Sequence, residues 1–224
     1  MKIILFGASG MVGASALREA LRAPDVEAVL SIGRQSCGVS HPKLRELILP
    51  DLFEFAAIGE PLHGYDACIW AIGISSVGLD EAAYARVTEA LTLHWARVLL
   101  QHNPGMSFCY CSAGGAGGKL MWARVRQRVE AALQTMPFRH AGAVRPGFIR
   151  PGPGIRSRTP AYQAGITLMR PLFPFFPLLM RLCPFLFTTS ERLGTAMLRV
   201  VQGRTDRFIL ESADINRAGI SPTA

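Results

Sequence analysis

The chain has 224 residues, half of them apolar and 18% charged, with a mean hydropathy of +0.25, which excludes a disordered or fibrous protein and favours one ordered core over two. Its net charge of +8 is uneven, since residues 1–119 hold 9 basic and 11 acidic groups while residues 120–224 hold 15 and 5. Arginine supplies 21 of the 24 basic residues, a choice that suits phosphate or carboxylate ligands but that a compositional bias explains equally well. These arginines are scattered through apolar segments without a dense basic run, which argues against nucleic acid.

The first residues enter a strand at once, Lys2 to Phe6, without the apolar stretch and small-residue cleavage site of a secretory signal, so a cytoplasmic protein is expected. Then follow a helix over 11–22, strands over 27–33, 46–49 and 67–73, a helix over 80–101, a strand over 107–112, a helix over 119–133 and a strand over 140–145. This alternation predicts an α/β fold built on a doubly wound parallel sheet, with strand 1 central and ligand at the carboxyl ends of the strands. Cys68, Cys109 and Cys111 fall inside strands, where cysteine acts as a small apolar residue, and no CxxC pair or Cys/His cluster calls for a disulfide or a metal. After Arg150, seven prolines between 151 and 184 break up any long helix, predicting a small Pro/Phe-rich lobe over 151–189 inserted into a single domain spanning 1–224. A helix near 190–202 and a strand from Arg207 to Leu210 return the chain to the main body. Only ten uncharged residues separate Arg170 from Arg181, whereas a helix needs about 18–20 apolar residues to cross a bilayer.

Gly7, Gly10 and Gly13 have GxxGxxG spacing in the stretch Gly7-Ala8-Ser9-Gly10-Met11-Val12-Gly13, directly after a strand and opening a helix. In that context the spacing marks the dinucleotide loop of a Rossmann fold. The first glycine permits the tight turn and the second lets backbone approach a pyrophosphate. The third lets the helix pack on the sheet while its N-terminal amides face the phosphates, which brings Ser9, Met11 and Val12 into the same contact. The second strand ends Ser31-Ile32-Gly33-Arg34, without the Asp or Glu that bonds the ribose hydroxyls of NAD. A guanidinium at Arg34 pairs instead with a 2′-phosphate, a charge-assisted contact worth about 1.5–3 kcal/mol, so NADP(H) is expected ahead of NAD(H).

Over nearly its whole length the chain resembles the atypical, small members of the short-chain dehydrogenase/reductase superfamily, the NAD-dependent epimerase-like proteins related to the Tat-interacting oxidoreductase family. The matching stretches are Gly7 to Gly13, Ala71-Ile72-Gly73, Tyr110-Cys111-Ser112-Ala113-Gly114 and Val144-Arg145-Pro146-Gly147. The resemblance implies that Ile72 and Gly73 flank the ribose and nicotinamide, that Asp51 and Leu52 lie by the adenine, and that Pro146 and Gly147 border the nicotinamide pocket. It puts Ser112 at the family's substrate-orienting serine, and Trp122 and Arg126 where the family has its Tyr-x-x-x-Lys pair. The i, i+4 spacing keeps Trp122 and Arg126 on one helical face. Indole, however, has no proton to exchange near neutral pH, and arginine stays charged, so Arg126 can bind ribose or phosphate but relays no proton.

Two functions therefore compete. In one, the protein is an NADP-dependent oxidoreductase acting on a hydrophobic quinone, flavin or activated carbonyl, whose proton comes from water. In the other, it is a non-catalytic NADP(H) sensor or partner-binding protein. Tyr110, Cys111, Lys119, His140 and Tyr162 are further candidate proton sources. The run 159–188, with Phe173, Phe175, Phe176, Phe185 and Phe187, has three readings: an elaboration of the core, a dimer or membrane-surface contact, or a partly mobile cover over the nicotinamide end of the cleft that admits a flat hydrophobic substrate. The sequence leaves open whether the protein is a monomer or a homodimer.

Overall fold

The computed structural model describes residues 1–54, 60–155 and 160–220. Its first strand, β1 (Lys2–Phe6), is buried at four of five positions, as a strand covered by helices on both faces must be. The glycine loop opens α1 (Met11–Arg22), which leads to β2 (Ala28–Gly33) and β3 (Leu44–Ile48). β4 (Ala67–Trp70) is shorter than the apolar run 67–73: Ala71 N–H still donates to Phe6 O at 3.1 Å, and the chain then leaves the sheet. The helix expected over 80–101 forms in three pieces, α2 (Glu81–Ala85), a π-turn at Arg86–Ala90 and α3 (Leu91–His102). Asp80 caps it, with Oδ1 accepting from Ala83 N–H at 2.8 Å. β5 (Ser107–Cys111), α4 (Met121–Thr135) and β6 (Ala141–Arg145) follow close to their expected places.

Beyond β6 the chain adds β7 (Phe148–Arg150), α5 (Pro160–Met169), a 3-10 segment at Arg170–Phe175, α6 (Phe176–Leu182) and β8 (Phe187–Thr189). Pro171 and Pro177 fall in first turns, where a missing N–H costs nothing. α7 (Ser190–Val201), β9 (Ile209–Glu211) and α8 (Ser212–Ala218) complete the described chain. β9 is shifted towards the C-terminus from the expected 207–210.

Seven strands pair in the order β3-β2-β1-β4-β5-β6-β9, every pair parallel. The order reverses between β1 and β4, which opens a crevice at the carboxyl ends of these strands, the place where doubly wound sheets bind ligands. One face carries α1 and α7, so close that a Cβ on Gly194 would lie 2.6 Å from Ser15 O. The other face carries α3 and α4 over Phe6, whose ring centroid is 4.5 Å from Trp70 and 4.8 Å from Trp95. β7 and β8 pair in a second, two-stranded parallel sheet. Its own small core is aromatic: fully buried Phe176 lies 5.6 Å from Phe187 and 6.3 Å from Phe148 between ring centroids.

Candidate functional site

The three loop glycines are required for different reasons. Gly7 leaves β1 with φ of +81°, and a Cβ there would lie 2.7 Å from Ala71 O. A Cβ on Gly13 would lie 2.0 Å from Gly7 O, because the first turn of α1 rests on the backbone of the loop. Gly10 is extended (φ −90°, ψ 165°), and a Cβ there meets only Gly7 O, at 3.3 Å. The packing of the protein thus demands Gly7 and Gly13, whereas Gly10 borders open space. No side chain caps α1, so the amides of Met11, Val12 and Gly13, which lack intrahelical acceptors, face out beyond the loop with the positive end of the helix dipole.

On the β2 side of the loop, Arg34 is exposed and has no hydrogen-bond or ion-pair partner among the described residues. Glu46 of β3 shapes the turn behind it by accepting from Ser36 Oγ and Cys37 N, both at 2.7 Å. Burial tends to raise the Glu46 carboxyl, but the hydrogen bonds from Cys37 and Ser36 hold it below the usual carboxylate range. Beside Ser9 and Gly10 opens a cavity of about 630 Å³ whose walls include Arg18, Arg22 and His41 and, among the described residues, no carboxylate. Asp51 is exposed and its Oδ1 accepts from Phe53 N–H at 2.8 Å. Leu52 is buried in the Phe6–Trp70–Trp95 core, and its carbonyl accepts from Trp95 Nε1 at 2.9 Å.

Across the crevice, Ile72 and Gly73 leave β4 next to Arg126 of α4, whose Nη2 would lie 3.5 Å from a Cβ on Gly73. Arg126 is 7% exposed and is held by oxygen atoms alone: Nε donates to the Tyr84 hydroxyl at 2.9 Å, and Nη1 to Cys111 O at 3.2 Å and the Tyr110 hydroxyl at 3.4 Å. Burial pushes the Tyr110 phenol well above its usual range against the opposing Arg126 charge, and raises the Cys111 thiol to about 11, so both stay protonated at neutral pH. Ser112, at the end of β5, is 5% exposed, and its Oγ has no partner among the described residues. A buried hydroxyl without a partner costs about 1–3 kcal/mol. Trp122, half-buried one turn before Arg126, lays its ring against Gly115, 3.5 Å from where a Cβ would stand.

Pro146 and Gly147 close this end. Gly114 N–H donates to Pro146 O at 2.7 Å, Gly147 N–H donates to Ser212 Oγ at 2.7 Å, and a Cβ on Gly147 would lie 2.3 Å from Leu186 O. Beneath them Arg145 makes a buried ion pair with Glu130 of α4, Nε to Oε1 at 2.9 Å, and reaches Glu211 of β9 with Nη1 at 2.9 Å. Tyr162 stands beside β7, its hydroxyl accepting from Ile149 N–H at 2.8 Å. Tyr84 is absent from the sequence reading: no local spacing links it to Arg126, and only the packing of α2 on α4 brings them together. Lys119 and His140 take no part in this cluster; Lys119 supplies its carbonyl to Arg124 at 3.1 Å, and His140 packs over Gly203.

The fold is that of short-chain dehydrogenase/reductase and NAD-dependent epimerase structures. An oxidoreductase of the short-chain dehydrogenase/reductase family from Burkholderia thailandensis superposes with a TM-score of 0.68 at 14% identity, covering 96% of this chain and 92% of its own. A UDP-N-acetylglucosamine 4-epimerase from Methanobrevibacter ruminantium, in complex with UDP-N-acetylmuramic acid, gives 0.67 at 14% identity, covering 93% of this chain and 74% of that one. MoeE5, in complex with UDP-glucose and NAD, gives 0.63 at 15% identity with the same coverage. No protein-family model matches the sequence, and no curated protein matches it significantly.

Proposed function

We propose that the chain binds NADP(H) across the carboxyl edge of the sheet and is an oxidoreductase acting on a hydrophobic small molecule such as a quinone, a flavin or an activated carbonyl. The observation that carries this reading is Ser112: a buried hydroxyl without a partner, at the end of β5 where a substrate oxygen would meet it, beside a buried guanidinium that has no carboxylate. The residues fit the cofactor. Gly10 leaves room at the loop, the first amides of α1 are uncapped, and Arg34 and the carboxylate-free cavity wall favour a dinucleotide with an additional phosphate. When bound, the nicotinamide supplies a hydride.

The chain's own residues bind and orient. The loop amides and Arg34 take the phosphates, Arg126 offers Nη2 towards the ribose beside Gly73, and Ser112 donates its proton in a hydrogen bond to a substrate carbonyl. Trp122 forms a wall and exchanges no proton. Arg126 stays charged and burial makes the Tyr110 phenol too weak an acid to give up its proton readily, so proton delivery falls to water, as suits a quinone or flavin whose reduced form is a stronger acid than an alcohol. β7, leading directly from Pro146 and Gly147, ties the 151–189 lobe to this end of the cleft, where we read it as the substrate side.

The test is a titration of the purified chain with NADPH and NADH, followed by NADPH oxidation over a panel of quinones, flavins and carbonyls. NADPH should bind about 10–100-fold more tightly than NADH, and Arg34→Ala should remove most of that preference. Equal affinities in the parent chain would refute the NADP(H) assignment. Tight NADPH binding without turnover on any substrate would favour a sensor of the cofactor.

A further inference from the structure

The apolar surface left over by the lobe points to a membrane. Of thirteen large apolar residues exposed among the described residues, seven lie in the single stretch 168–186. Leu168 (81% exposed), Phe175 (61%), Leu182 (66%) and Phe185 (62%) stand out on α5, the 3-10 segment, α6 and the turn that follows. They are not needed for folding the lobe, whose core is made by Phe148, Phe176 and Phe187. Side chains of this size cost free energy in water, and their clustering on one lobe marks a contact surface.

The charge around them selects the occupant. Between Glu130 and Glu191 the sequence has no Asp or Glu, while Arg139, Arg145, Arg150, Arg170 and Arg181 lie within that interval. Arg170 and Arg181, at the start of the 3-10 segment and the end of α6, are exposed and make no ion pair with any described residue. In a two-fold dimer formed through this surface the facing copy would bring the same stretch, and 168–186 has no carboxylate to receive Arg170 or Arg181. A bilayer with anionic headgroups meets both requirements: phosphates for the arginines and acyl chains for the leucines and phenylalanines. No helix among the described residues is long and apolar enough to cross a membrane, so contact is made in the plane of the interface.

We propose that the 168–186 surface docks the protein onto anionic phospholipid membranes. Since the lobe joins the body beside Pro146 and Gly147, docking would bring the cleft to the membrane, where a hydrophobic substrate dissolves. That consequence rests on the oxidoreductase reading, whereas the docking does not.

Flotation of the full chain with vesicles of phosphatidylcholine, alone or mixed with phosphatidylglycerol, tests the proposal. The chain should float with the mixed vesicles, much less with phosphatidylcholine alone, and the bound fraction should fall as salt rises. Phe175→Glu combined with Leu182→Glu should abolish flotation, and Arg170→Ala and Arg181→Ala should each weaken it about fivefold, with unchanged circular dichroism and NADPH affinity. A parent chain that stays unbound with mixed vesicles overturns the proposal. So does a dimer on a sizing column that the double glutamate variant dissociates, which would assign the surface to a second copy. Failure of the parent to bind NADPH would sink the oxidoreductase reading and leave the flotation result standing.

Discussion

Alanine placed at Gly10 and alanine placed at Gly13 add the same methyl group three residues apart, and the structure demands opposite consequences. At Gly13 the new Cβ would sit 2.0 Å from Gly7 O and 2.4 Å from Gly7 C, against about 3.5–4.0 Å for ordinary contact, so α1 must lift off the loop by more than an ångström. Overpacking of backbone against backbone costs about 1–3 kcal/mol or more, and the roughly 1 kcal/mol by which alanine outranks glycine in a helix offsets only part of it. With about 2–4 °C lost per kcal/mol for a chain of this size, the Gly13→Ala melting temperature should fall by roughly 5 °C. At Gly10 the only close atom is Gly7 O at 3.3 Å, and the backbone lies in a region open to any residue. Losing glycine at an N-cap costs about 0.5–1 kcal/mol, and restricting the unfolded chain returns about 0.4–1 kcal/mol, so Gly10→Ala should melt within about 4 °C of the parent. Its methyl group, however, would fill the open space beside the loop, where we propose the pyrophosphate binds. Losing one charge-assisted contact there weakens NADPH about 10–100-fold. Differential scanning calorimetry and a fluorescence titration of NADPH check both halves. Parental NADPH affinity in Gly10→Ala, or parental melting in Gly13→Ala, would refute this division of roles.

Ser112→Ala removes a buried hydroxyl without a partner, so thermal stability should hold or rise by up to about 1 kcal/mol while kcat/KM falls at least about tenfold; a clear loss of stability would mean that the hydroxyl is satisfied inside the protein. Trp122→Phe should shift KM and substrate preference and leave the pH profile of turnover in place; loss of turnover with both ligands still bound would assign the indole more than a wall role. Glu130→Gln leaves the half-exposed Glu211 as the remaining carboxylate partner of Arg145 and should cost about 1–3 kcal/mol in chemical denaturation, part of it regained with Arg145→Met added, because a pair that fails together is worth less than one half left charged. Acidification through the range below the usual carboxylate pKa should loosen the turn behind Arg34: the Glu46 carboxyl is held low in the folded state, so its contribution is present at neutral pH and lost as the pH falls. Amide exchange at Cys37 should report this loss, and should stop responding to pH in Glu46→Gln.

Local sequence determined the elements that depend on neighbours along the chain. The glycine loop could be read because its three residues answer to one turn and one helix start, and the central strands because burial on both faces makes most positions apolar rather than alternate ones. The parallel sheet and the crevice at its reversal then follow from right-handed crossovers. Tertiary packing decided what depends on residues far apart in sequence. Leu52 lies in the core with its carbonyl taken by Trp95, 43 residues away, a contact that no local pattern announces. Tyr84 reaches Arg126 across 42 residues only because α2 packs on α4, so a buried cation is held by phenols that no spacing rule connects to it. Composition made the lobe's apolar character plain, but the division between Phe176, which is sealed inside, and Phe175, which faces solvent, rests on which of the two packs on Phe148 and Phe187, residues far along the chain that the β7–β8 pairing sets opposite each other.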